Sequence, residues 1–318
     1  MKQVPIVSIV VPCYNYGHLL SETLNNIFEQ DFQLWECLII DDGSTDNTSF
    51  IANQFVQKDE RFRYIYQKNS GLSAARNTGI KNSIGTYIQL LDADDFIQHS
   101  KFKSQLAVFK ANPEIDIIYS EVRYFYSDSP TTFYLSHDGS DRQWMTFADS
   151  DDHENLKSTL ISINICVVNA PLIRKDIFAK IGEFNPLLKS VEDWEFWCRC
   201  AYSGIKFKFD NSPNSMALVR LHENSMSRSP KGMMEAACVA RDTLHKLILA
   251  EPQNDLYLER TSKNTQEKAY LHKTLFELYQ LEKDKRRALH HLYEFGKIKN
   301  ERLFVLKQSL KLLFKNTP

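Results

Sequence analysis

The sequence predicts an α/β fold with a mostly parallel central sheet flanked by helices. Short β-branched runs, of which Val7–Val11 is the first, alternate with segments whose apolar residues recur at three- and four-residue spacing. Strands that are joined by helices pair in parallel, because such a connection returns each strand in the same direction. The 318 residues, 43% of them hydrophobic and 25% charged, are enough to bury a large core.

The first 120 residues carry the most regular part of this pattern. The predicted strands, each a short apolar run, are residues 7–11, 35–40, 62–66, 86–91 and 116–120. The helices predicted between them, each with one apolar face, are residues 19–30, 48–56, 73–82 and 102–110. Ser73 stands at the start of the third helix, where a serine is typical of an N-cap.

The pattern is looser after about Val122. Residues 127–157 are polar and irregular, which predicts surface loops or a short hairpin. Further strands are predicted at 165–169, 206–209 and 216–221, and further helices at 175–181 and 193–203. From Met233 onward the spacing is helical, with a break near Pro252.

The net charge of −1 is the sum of two unlike regions. Residues 283–318 hold ten basic and three acidic residues, a charge of +7, and residues 1–282 therefore carry −8. A total near zero gives no support for a nucleic-acid partner. No stretch approaches the roughly 18–20 apolar residues of a membrane span. Six cysteines without paired spacing predict reduced thiols in a cytoplasmic protein.

Polar turns follow three of the predicted strands. The first strand runs into Pro12–Tyr16, the second into Asp41–Asp46 and the fourth into Asp92–Asp95. In a parallel sheet these carboxyl ends share one edge, which is where ligands bind in such folds. We therefore expect a binding site at this edge.

The acidic turn Asp92–Asp95 is a candidate cation site. Carboxylates this close repel one another unless a cation lies between them. Mg²⁺ and Mn²⁺ are typically held by one or two protein carboxylates together with phosphate oxygens of a substrate. The alternative is a solvated acidic turn that caps the next helix.

The remaining candidates are two acidic turns and an arginine. Asp41 and Asp42 can accept from a nucleobase or a ribose hydroxyl, although Asp42-Gly43 is also an ordinary turn. Arg76 lies where a guanidinium can contact a base or phosphates, and the alternative is a surface arginine. Glu192 and Asp193 open an aromatic helix, whose positive end is expected to keep Asp193 ionised, as suits a general base or an N-cap.

Taken together, these segments resemble the family-2 glycosyltransferases with the GT-A fold. The matching segments, in the family's order and spacing, are residues 7–20, 38–48, 69–80, 87–95 and 191–199. The resemblance covers roughly residues 5–225. It implies a nucleotide-diphosphate-sugar donor, a divalent metal (Mn²⁺ or Mg²⁺) and inversion at the anomeric carbon.

The resemblance also implies a division of the chain. Residues 1–225 correspond to the GT-A glycosyltransferase domain, with a nucleotide-binding half at 1–121 and an acceptor-binding half at 122–225. Residues 226–318 form a helical C-terminal extension outside the family motifs.

Roles for the donor-binding residues are carried over position by position. Pro12 and Tyr14 match positions beside the base, with Tyr14 stacking on it. Asp42 matches the carboxylate that contacts the base, with Asp41 beside it, and Arg76 matches the arginine near the nucleotide.

The resemblance implies that the chemistry lies at three further motifs. Asp92-Ala93-Asp94 matches the family's DxD motif, in which Asp94 is the expected metal ligand and Asp92 lies near the ribose. Asp193 matches the base that deprotonates the acceptor hydroxyl, and Glu192 is grouped with the donor-binding residues. His222 matches a late motif that approaches the metal or diphosphate, or it is a strand-end histidine with a backbone partner.

Substrates and partners follow from the same resemblance. A UDP-sugar is the favoured donor, with GDP- and dTDP-sugars as alternatives, and the acceptor is a glycan or lipid-linked glycan in surface polysaccharide biosynthesis. Apolar residues of the tail recur at near-helical spacing among lysines, namely Leu303, Phe304, Leu306, Leu310, Leu313 and Phe314. This pattern predicts peripheral docking on the inner face of the plasma membrane, packing on the body, or a homodimer.

Rival functions make different demands on the sequence. A sugar nucleotidyltransferase would place a glycine-rich basic loop after the first strand, where this chain has PCYNYGHLL. A haloacid-type phosphatase would need its nucleophilic aspartate after the first strand, and a dinucleotide oxidoreductase would need GxGxxG, which is absent. A degenerate transferase that only binds nucleotide or carbohydrate is the non-enzymatic alternative, and the intact Asp94 and Asp193 argue against it.

Overall fold

The computed structural model describes residues 4–142, 146–222 and 229–314, with only the backbone at 313 and 314. The chain folds into two compact units, Met1–Ser225 and Met226–Pro318.

The first unit alternates strands and helices along most of its length. Its strands are β1 Val7–Cys13, β2 Trp35–Asp41, β3 Phe62–Tyr66, β4 Tyr87–Leu90, β5 Phe96–Ile97, β6 Ile117–Ser120, β7 Val122–Tyr126, β8 Ser129–Tyr134, β9 Leu172–Arg174, β10 Phe207–Asp210 and β11 Ala217–Leu221. Its helices are α1 Gly17–Phe28, α2 Thr48–Lys58, α3 Leu72–Asn82, α4 Lys101–Ala111, α5 His153–Ser162, α6 Ile177–Ile181 and α7 Glu192–Tyr202.

The central sheet has seven strands in the order β10-β6-β9-β4-β1-β2-β3. Neighbouring strands are parallel except at β9, which is antiparallel to both β4 and β6. All seven residues of β1 and of β2 are buried, because helices cover both faces of such a sheet and each strand reads as a continuous apolar run. The predicted α/β fold with a mostly parallel sheet is confirmed.

A second, four-stranded sheet in the order β5-β11-β7-β8 completes the first unit. β5 begins directly after the acidic turn Asp92–Asp95 and pairs antiparallel with β11. The pairing brings the end of β11, which carries Arg220 and leads into His222, beside that turn.

The strand predicted at 165–169 is wrong. Ile165 and Cys166 are fully buried, but this stretch is irregular and the strand is β9, a few residues later. The carbonyl of Cys166 accepts from the indole N–H of Trp197 at 3.3 Å. The apolar run is therefore buried by side-chain packing rather than by pairing in the sheet, and such runs do not by themselves identify a strand.

The start of α3 also differs from its prediction. Gly71 precedes the helix with φ 90°, and the helix begins at Leu72. Ser73 is therefore not the N-cap but lies inside the first turn, where it is buried and its hydroxyl donates to the carbonyl of Leu188 at 3.4 Å. A glycine adopts this positive φ without the clash that a Cβ would cause.

The region 127–157 is partly regular. β8 pairs with β7 as a hairpin. The sequence predicts either surface loops or a short hairpin here. Helix α5, which begins at His153, was not predicted. Its N-cap Asp152 accepts from the backbone N–H of Asn155 at 2.9 Å.

The second unit contains the predicted C-terminal helices. They are α8 Pro230–Leu249, α9 Asp255–Leu281, α10 Lys285–Lys299 and α11 Arg302–Phe314. The break near Pro252 lies between α8 and α9. Asn254 and Asp284 cap α9 and α10, each accepting a backbone N–H of the first turn. Within the described ranges, no helix combines the length and apolar composition that crossing a bilayer requires.

Candidate active site

The loops that follow β1 and β2 lie side by side at one edge of the central sheet. Pro12 pairs with Ile40 and Cys13 with Asp41 in parallel register. The N–H of Asp42 then donates to the carbonyl of Cys13 at 2.9 Å. The structure therefore brings together the two segments that the sequence assigned to the nucleotide.

Two predicted residues of the first loop differ in exposure. Pro12 is buried within β1, whereas Tyr14 is 48% exposed. Asn15 follows with φ 58°, and its side-chain oxygen accepts the backbone N–H of Thr45 at 2.8 Å. The chain thus turns sharply after β1 and leaves the ring of Tyr14 available to stack on a flat ligand.

Asp41 is buried and fixes the second loop. One carboxylate oxygen accepts the N–H of Ser44 at 2.8 Å and the other accepts the hydroxyl of Tyr64 at 2.7 Å. Because both carboxylate oxygens are held in this way, Asp41 shapes the loop beside any ligand that binds there.

Asp42 connects the second loop to the start of α3. Its Oδ1 accepts from Gln67 Nε2 at 2.7 Å and from the N–H of Ser70 at 2.9 Å, and its Oδ2 accepts from the N–H of Gly71 at 2.8 Å. Asp42 is 3% exposed. Its carboxylate therefore orients the helix that carries Arg76, and a base can reach it only through the remaining lone pair of Oδ2.

Arg76 joins the two halves of the candidate site. The guanidinium is 1% exposed, with Nη2 2.8 Å from Asp92 Oδ1 and Nη1 hydrogen-bonded to Glu192 Oε1. Glu192 is also buried, while the Asp92 side chain keeps 32% exposure. A buried guanidinium with two carboxylates is a fixed ion pair. It holds the end of β4 against the start of α7.

Asp193 lies directly after this ion pair, in the first turn of α7. Its Oδ2 accepts from Asn164 Nδ2 at 3.1 Å and its Oδ1 from the N–H of Trp194 at 2.7 Å. Burial, followed by the negative charge of Glu192, raises the pKa of Asp193 to about 7. The expectation that the helix end keeps Asp193 fully ionised is therefore wrong: the N–H of Trp194 lowers the pKa, but burial outweighs it.

The backbone immediately before these residues is unusual. Val191 has φ 54° and ψ 20°, which is the left-handed region. A β-branched residue rarely adopts this conformation, because its side chain crowds the backbone. The surrounding structure must hold Val191 there, and the turn delivers Glu192 to Arg76.

Asp94 and His222 form the second part of the site. Asp94 Oδ2 lies 2.7 Å from His222 Nε2, and the two side chains are 17% and 18% exposed. The ring of Tyr16 meets His222 edge-on at 5.8 Å between ring centroids. That His222 approaches the metal or diphosphate stays a prediction; the structure shows that its ring contacts Asp94, the expected metal ligand.

Two residues that frame Asp94 were not among the predicted site residues. Arg220 is buried, donates from Nε to the carbonyl of Asp94 at 2.7 Å and from its backbone N–H to Asp95 Oδ1 at 2.7 Å. Asn169 donates to Asp95 Oδ2 and accepts the N–H of Asp92 at 3.1 Å. Arg220 stands two residues before His222 and could have been found from that motif, whereas no sequence signal marks Asn169.

The acidic turn creates a strongly negative local potential. The pKa of Tyr16 is raised by burial and then by the charges of Asp94, Asp92 and Asp95. The pKa of Asp95 is raised by burial and by its two acidic neighbours. A divalent cation would relieve this repulsion.

The side chains near the acidic turn supply part of the ligand set that such a cation needs. No group of three or more metal-binding side chains lies together in the part of the chain that the structure describes. Asp94 and His222 supply one carboxylate and one imidazole, whose Oδ2 and Nε2 lie 2.7 Å apart. Mg²⁺ and Mn²⁺ sites commonly take their remaining ligands from water and substrate phosphates, so a two-residue set is compatible with a cation that binds together with a diphosphate.

Comparison with curated proteins finds glycosyltransferases. A 115-residue segment, 36% of this chain, is 37% identical to 33% of the uncharacterized glycosyltransferase EpsJ of Bacillus subtilis. A 103-residue segment, 32% of this chain, is 37% identical to 41% of TuaG of the same organism, a putative teichuronic acid biosynthesis glycosyltransferase. The matched segments thus span less than half the length of these relatives.

Solved structures share the fold over most of the chain. TarS residues 1–349 of S. aureus, in complex with UDP-GlcNAc, matches with a TM-score of 0.65 and 18% identity over 92% of this chain and 81% of those residues. The mannosyltransferase PcManGT of Pyrobaculum calidifontis, in complex with GDP-Man and Mn²⁺, matches with a TM-score of 0.57 and 14% identity over 99% of this chain and 88% of its own. At these identities the likeness shows the GT-A fold alone.

The family model described as glycosyl transferase family 2 matches residues 8–182, which is more than half of the chain. The matched range contains the loops after β1 and β2, Arg76 and the acidic turn with Asp94. The chain belongs to glycosyl transferase family 2.

Proposed function

We propose that this protein is a glycosyltransferase that moves a sugar from a nucleotide-diphosphate sugar to a glycan or lipid-linked glycan, with inversion at the anomeric carbon and with a divalent cation. The observation that carries the proposal is the buried guanidinium of Arg76. It ties Asp92, two residues from Asp94, to Glu192, which adjoins Asp193. The groups suited to hold a diphosphate and to activate an acceptor therefore belong to one rigid network.

The donor is proposed to lie across the carboxyl ends of β1, β2 and β4, in the nucleotide-binding half formed by residues 1–121. The exposed ring of Tyr14 offers a stacking surface for the base, beside the loop that Asp41 and Asp42 shape. Asp92 retains solvent exposure and can accept from a ribose hydroxyl. Ala93 is buried, and its carbonyl accepts from Thr23 at 2.9 Å, so it spaces the two carboxylates.

Asp94 and His222 are proposed to hold the cation. When bound there, a divalent cation neutralises the charge that builds on the departing diphosphate. Arg220 and Asn169 fix the backbone and the neighbouring carboxylate of the turn, so the oxygens of Asp94 are presented in one orientation. The choice between Mn²⁺ and Mg²⁺ stays open in this proposal, since both are held by carboxylate and phosphate oxygens.

Asp193 is proposed to be the general base on the acceptor side, in the acceptor-binding half at residues 122–225. Its carboxylate takes the proton of the acceptor hydroxyl as that oxygen forms its bond to C1 and the bond from C1 to the diphosphate oxygen breaks. Attack from the face opposite the leaving group inverts the configuration in one displacement. Asn164 and the N–H of Trp194 hold the carboxylate in place.

The donor class draws on the structural neighbours. UDP-GlcNAc in TarS favours a UDP-sugar, and GDP-Man in PcManGT keeps a GDP-sugar as an alternative, as is a dTDP-sugar. The name of TuaG supports a role in surface polysaccharide biosynthesis. A reaction on lipid-linked glycans would place the protein in the cytoplasm at the inner face of the plasma membrane.

The donor can be identified by a thermal-shift panel of nucleotide sugars with Mn²⁺. A donor that binds the folded state raises the melting temperature by mass action. We expect one nucleotide class to stabilise the protein with Mn²⁺ and to lose most of that effect when the metal is chelated. If no nucleotide sugar shifts the melting temperature at any Mn²⁺ concentration, the proposed donor class is wrong.

The assigned roles can be tested with Asp94→Asn and Asp193→Asn, compared with Asp176→Asn, which changes the same charge at a carboxylate whose side chain, at the N-cap position of α6, is 60% exposed. We expect transfer from the identified donor to fall by about 10²-fold or more in the first two variants and to be unchanged in the third. Donor binding should weaken only in Asp94→Asn. Binding without transfer in the unmodified protein would favour the degenerate, binding-only alternative.

A further inference from the structure

Helix α11 presents apolar side chains on two sides. On one side, Phe304, Val305 and Leu312 pack inward: Leu312 is 6% exposed, and the ring of Phe304 lies 5.9 Å from that of Phe295 on α10. Val305 fills the space above Gly296, where a Cβ would lie 2.1 Å from its methyl group. These contacts fix the rotation of α11 against α10.

The other side of α11 carries leucines that nothing in the second unit covers among the described residues. Leu303 is 85% exposed, Leu306 58% and Leu310 47%. At about 100° per residue, these three positions fall within an arc of about 60° on the helix surface. A single exposed leucine is ordinary, but three in one row form a continuous apolar strip.

Basic residues border this strip on both sides. The same helical spacing places Arg302 at one margin and Lys307 and Lys311 at the other, and all three are exposed. Residues 302–314 contain no acidic residue. Long basic side chains at the margins of an apolar strip can extend their charged ends outward while their methylene groups lie along it.

We propose that this face of α11 docks on an anionic lipid bilayer, with Leu303, Leu306 and Leu310 inserted among the acyl chains and the flanking cations on the headgroups. A helix lying in the plane of the membrane needs an apolar strip with basic margins. Each basic residue near an anionic surface adds further attraction. The arrangement matches both requirements.

The charges favour a bilayer over a second copy of this chain. Two copies that met through this face would bring together two rims of the same positive sign, which opposes association. An anionic bilayer offers the opposite charge over the whole face. The proposal goes beyond sugar transfer and needs no catalytic activity, so its failure and that of the proposed function are separate results.

The test is co-sedimentation of the full chain with phosphatidylcholine vesicles, with and without phosphatidylglycerol. We expect binding to the anionic vesicles only, and weaker binding as salt is added. The double variant Leu306→Ser, Leu310→Ser should reduce this binding at least about tenfold, because it removes most of the strip. Lys307→Glu with Lys311→Glu should reduce it by a similar factor.

The matched control is Leu258→Ser with Leu281→Ser, which removes two leucines that are 64% and 80% exposed on α9. Circular dichroism confirms that each variant is folded, and the control should bind vesicles as the unmodified chain does. Absence of binding to anionic vesicles, or equal loss in the control, overturns the proposal. So does a dimer in light scattering that Leu306→Ser, Leu310→Ser converts to a monomer without any change in vesicle binding.

Discussion

The carboxyl group of Asp193 experiences two opposed influences. Burial and the negative charge of Glu192 raise its pKa to about 7, while the N–H of Trp194, the charge of Arg76 and the amide of Asn164 lower it. The neighbouring thiol of Cys166 is buried with a raised pKa and stays neutral. A base with a pKa near neutrality is well matched to proton transfer at physiological pH.

This balance predicts an acid limb in the pH profile. The base must be deprotonated, so kcat/KM for transfer should rise with pH and level off above about 7. Glu192→Gln removes the charge that raises the pKa of Asp193 and should shift the midpoint of the limb to lower pH. A midpoint that stays in place, in a variant that still binds donor, would show that Glu192 does not tune the base.

Backbone conformation gives a second prediction at single residues. Val191→Gly should leave stability unchanged or raise it by about 1 kcal/mol, because glycine adopts φ 54° without strain. Transfer should slow, since the restraint on the following turn is lost. Thermal unfolding together with steady-state kinetics measures both effects.

Gly43→Ala is the opposite case. Gly43 has φ 80°, and an added Cβ would lie 2.8 Å from the N of Asn69. The variant should lose about 1–3 kcal/mol of unfolding free energy. Equal stability changes in Val191→Gly and Gly43→Ala would contradict this account of the two turns.

At the level of single residues, the sequence predicts candidate side chains for the reaction but only part of their environment. Asp94, Asp193 and Arg76 were identified through the family resemblance. The contact of Asp94 with His222 spans 128 positions of the chain, and sequence spacing does not encode such a distance. The raised pKa of Asp193 arises first from burial, which the local sequence at the helix end does not encode.

Elements were predictable where burial follows a simple geometry. β1 and β2 are covered on both faces and read as unbroken apolar runs. Residues 165–169 also begin with an apolar run, but it is buried without strand neighbours, and the Cys166 carbonyl accepts from Trp197 of α7 instead. Helix α5 lies in a stretch with few apolar residues, so its position depends on tertiary contacts that the local pattern does not contain.

The helices of the second unit share a buried histidine pair. His272 Nδ1 lies 3.0 Å from His291 Nδ1, and the ring of His291 stacks on Tyr279 at 5.6 Å. Burial, followed by the charge on His291, lowers the pKa of His272 to about 4, and burial and His290 lower that of His291. The other charged groups that act on the pair are Lys268, Glu235, Arg287 and Glu294.

This pair predicts loss of stability in mild acid. Below the ordinary histidine pKa of 6.5 the unfolded chain binds protons more readily than the folded one, so unfolding free energy should fall by roughly 1–3 kcal/mol as pH falls from 6.5 to 4. His272→Gln should flatten this dependence in denaturant unfolding followed at helical signals. His137→Gln, at an exposed histidine of the first unit that does not act on the pair, serves as the control and should retain it.

On the scale of the whole molecule, the acidic residues of the candidate site and the excess of basic residues lie in different parts of the chain. The net charge of −8 on residues 1–282 includes the acidic turn and the carboxylates that Arg76 binds. The net charge of +7 on residues 283–318 belongs to the segment that contains α10 and α11. The sequence showed this separation in its charge count. It could not show which apolar residues of α11 pack inward, because both sides of that helix are apolar.

Donor binding should therefore be mapped across the whole chain by hydrogen exchange. With Mn²⁺ and the donor, we expect slower exchange in residues 12–16, 41–46 and 92–95, where the polar loops meet. Helices α8 to α11 should show no comparable protection. Protection confined to α8–α11 would place the nucleotide in the wrong unit and reject the proposed donor site.

The position of strand β9 affects the order in which the central sheet can form during synthesis. It lies antiparallel between β4 and β6, which are not neighbours of each other. When only the first 121 residues have left the ribosome, β4 has one unpaired edge, and β6 lacks both of its partners, β9 and β10. The buried Ile88 and Leu90 of that edge are then open to a neighbouring nascent chain. β4 and β6 can be joined only after β9, which ends at Arg174, has left the ribosome. The nascent chain is therefore most prone to aggregation between the synthesis of β6 and that of β9.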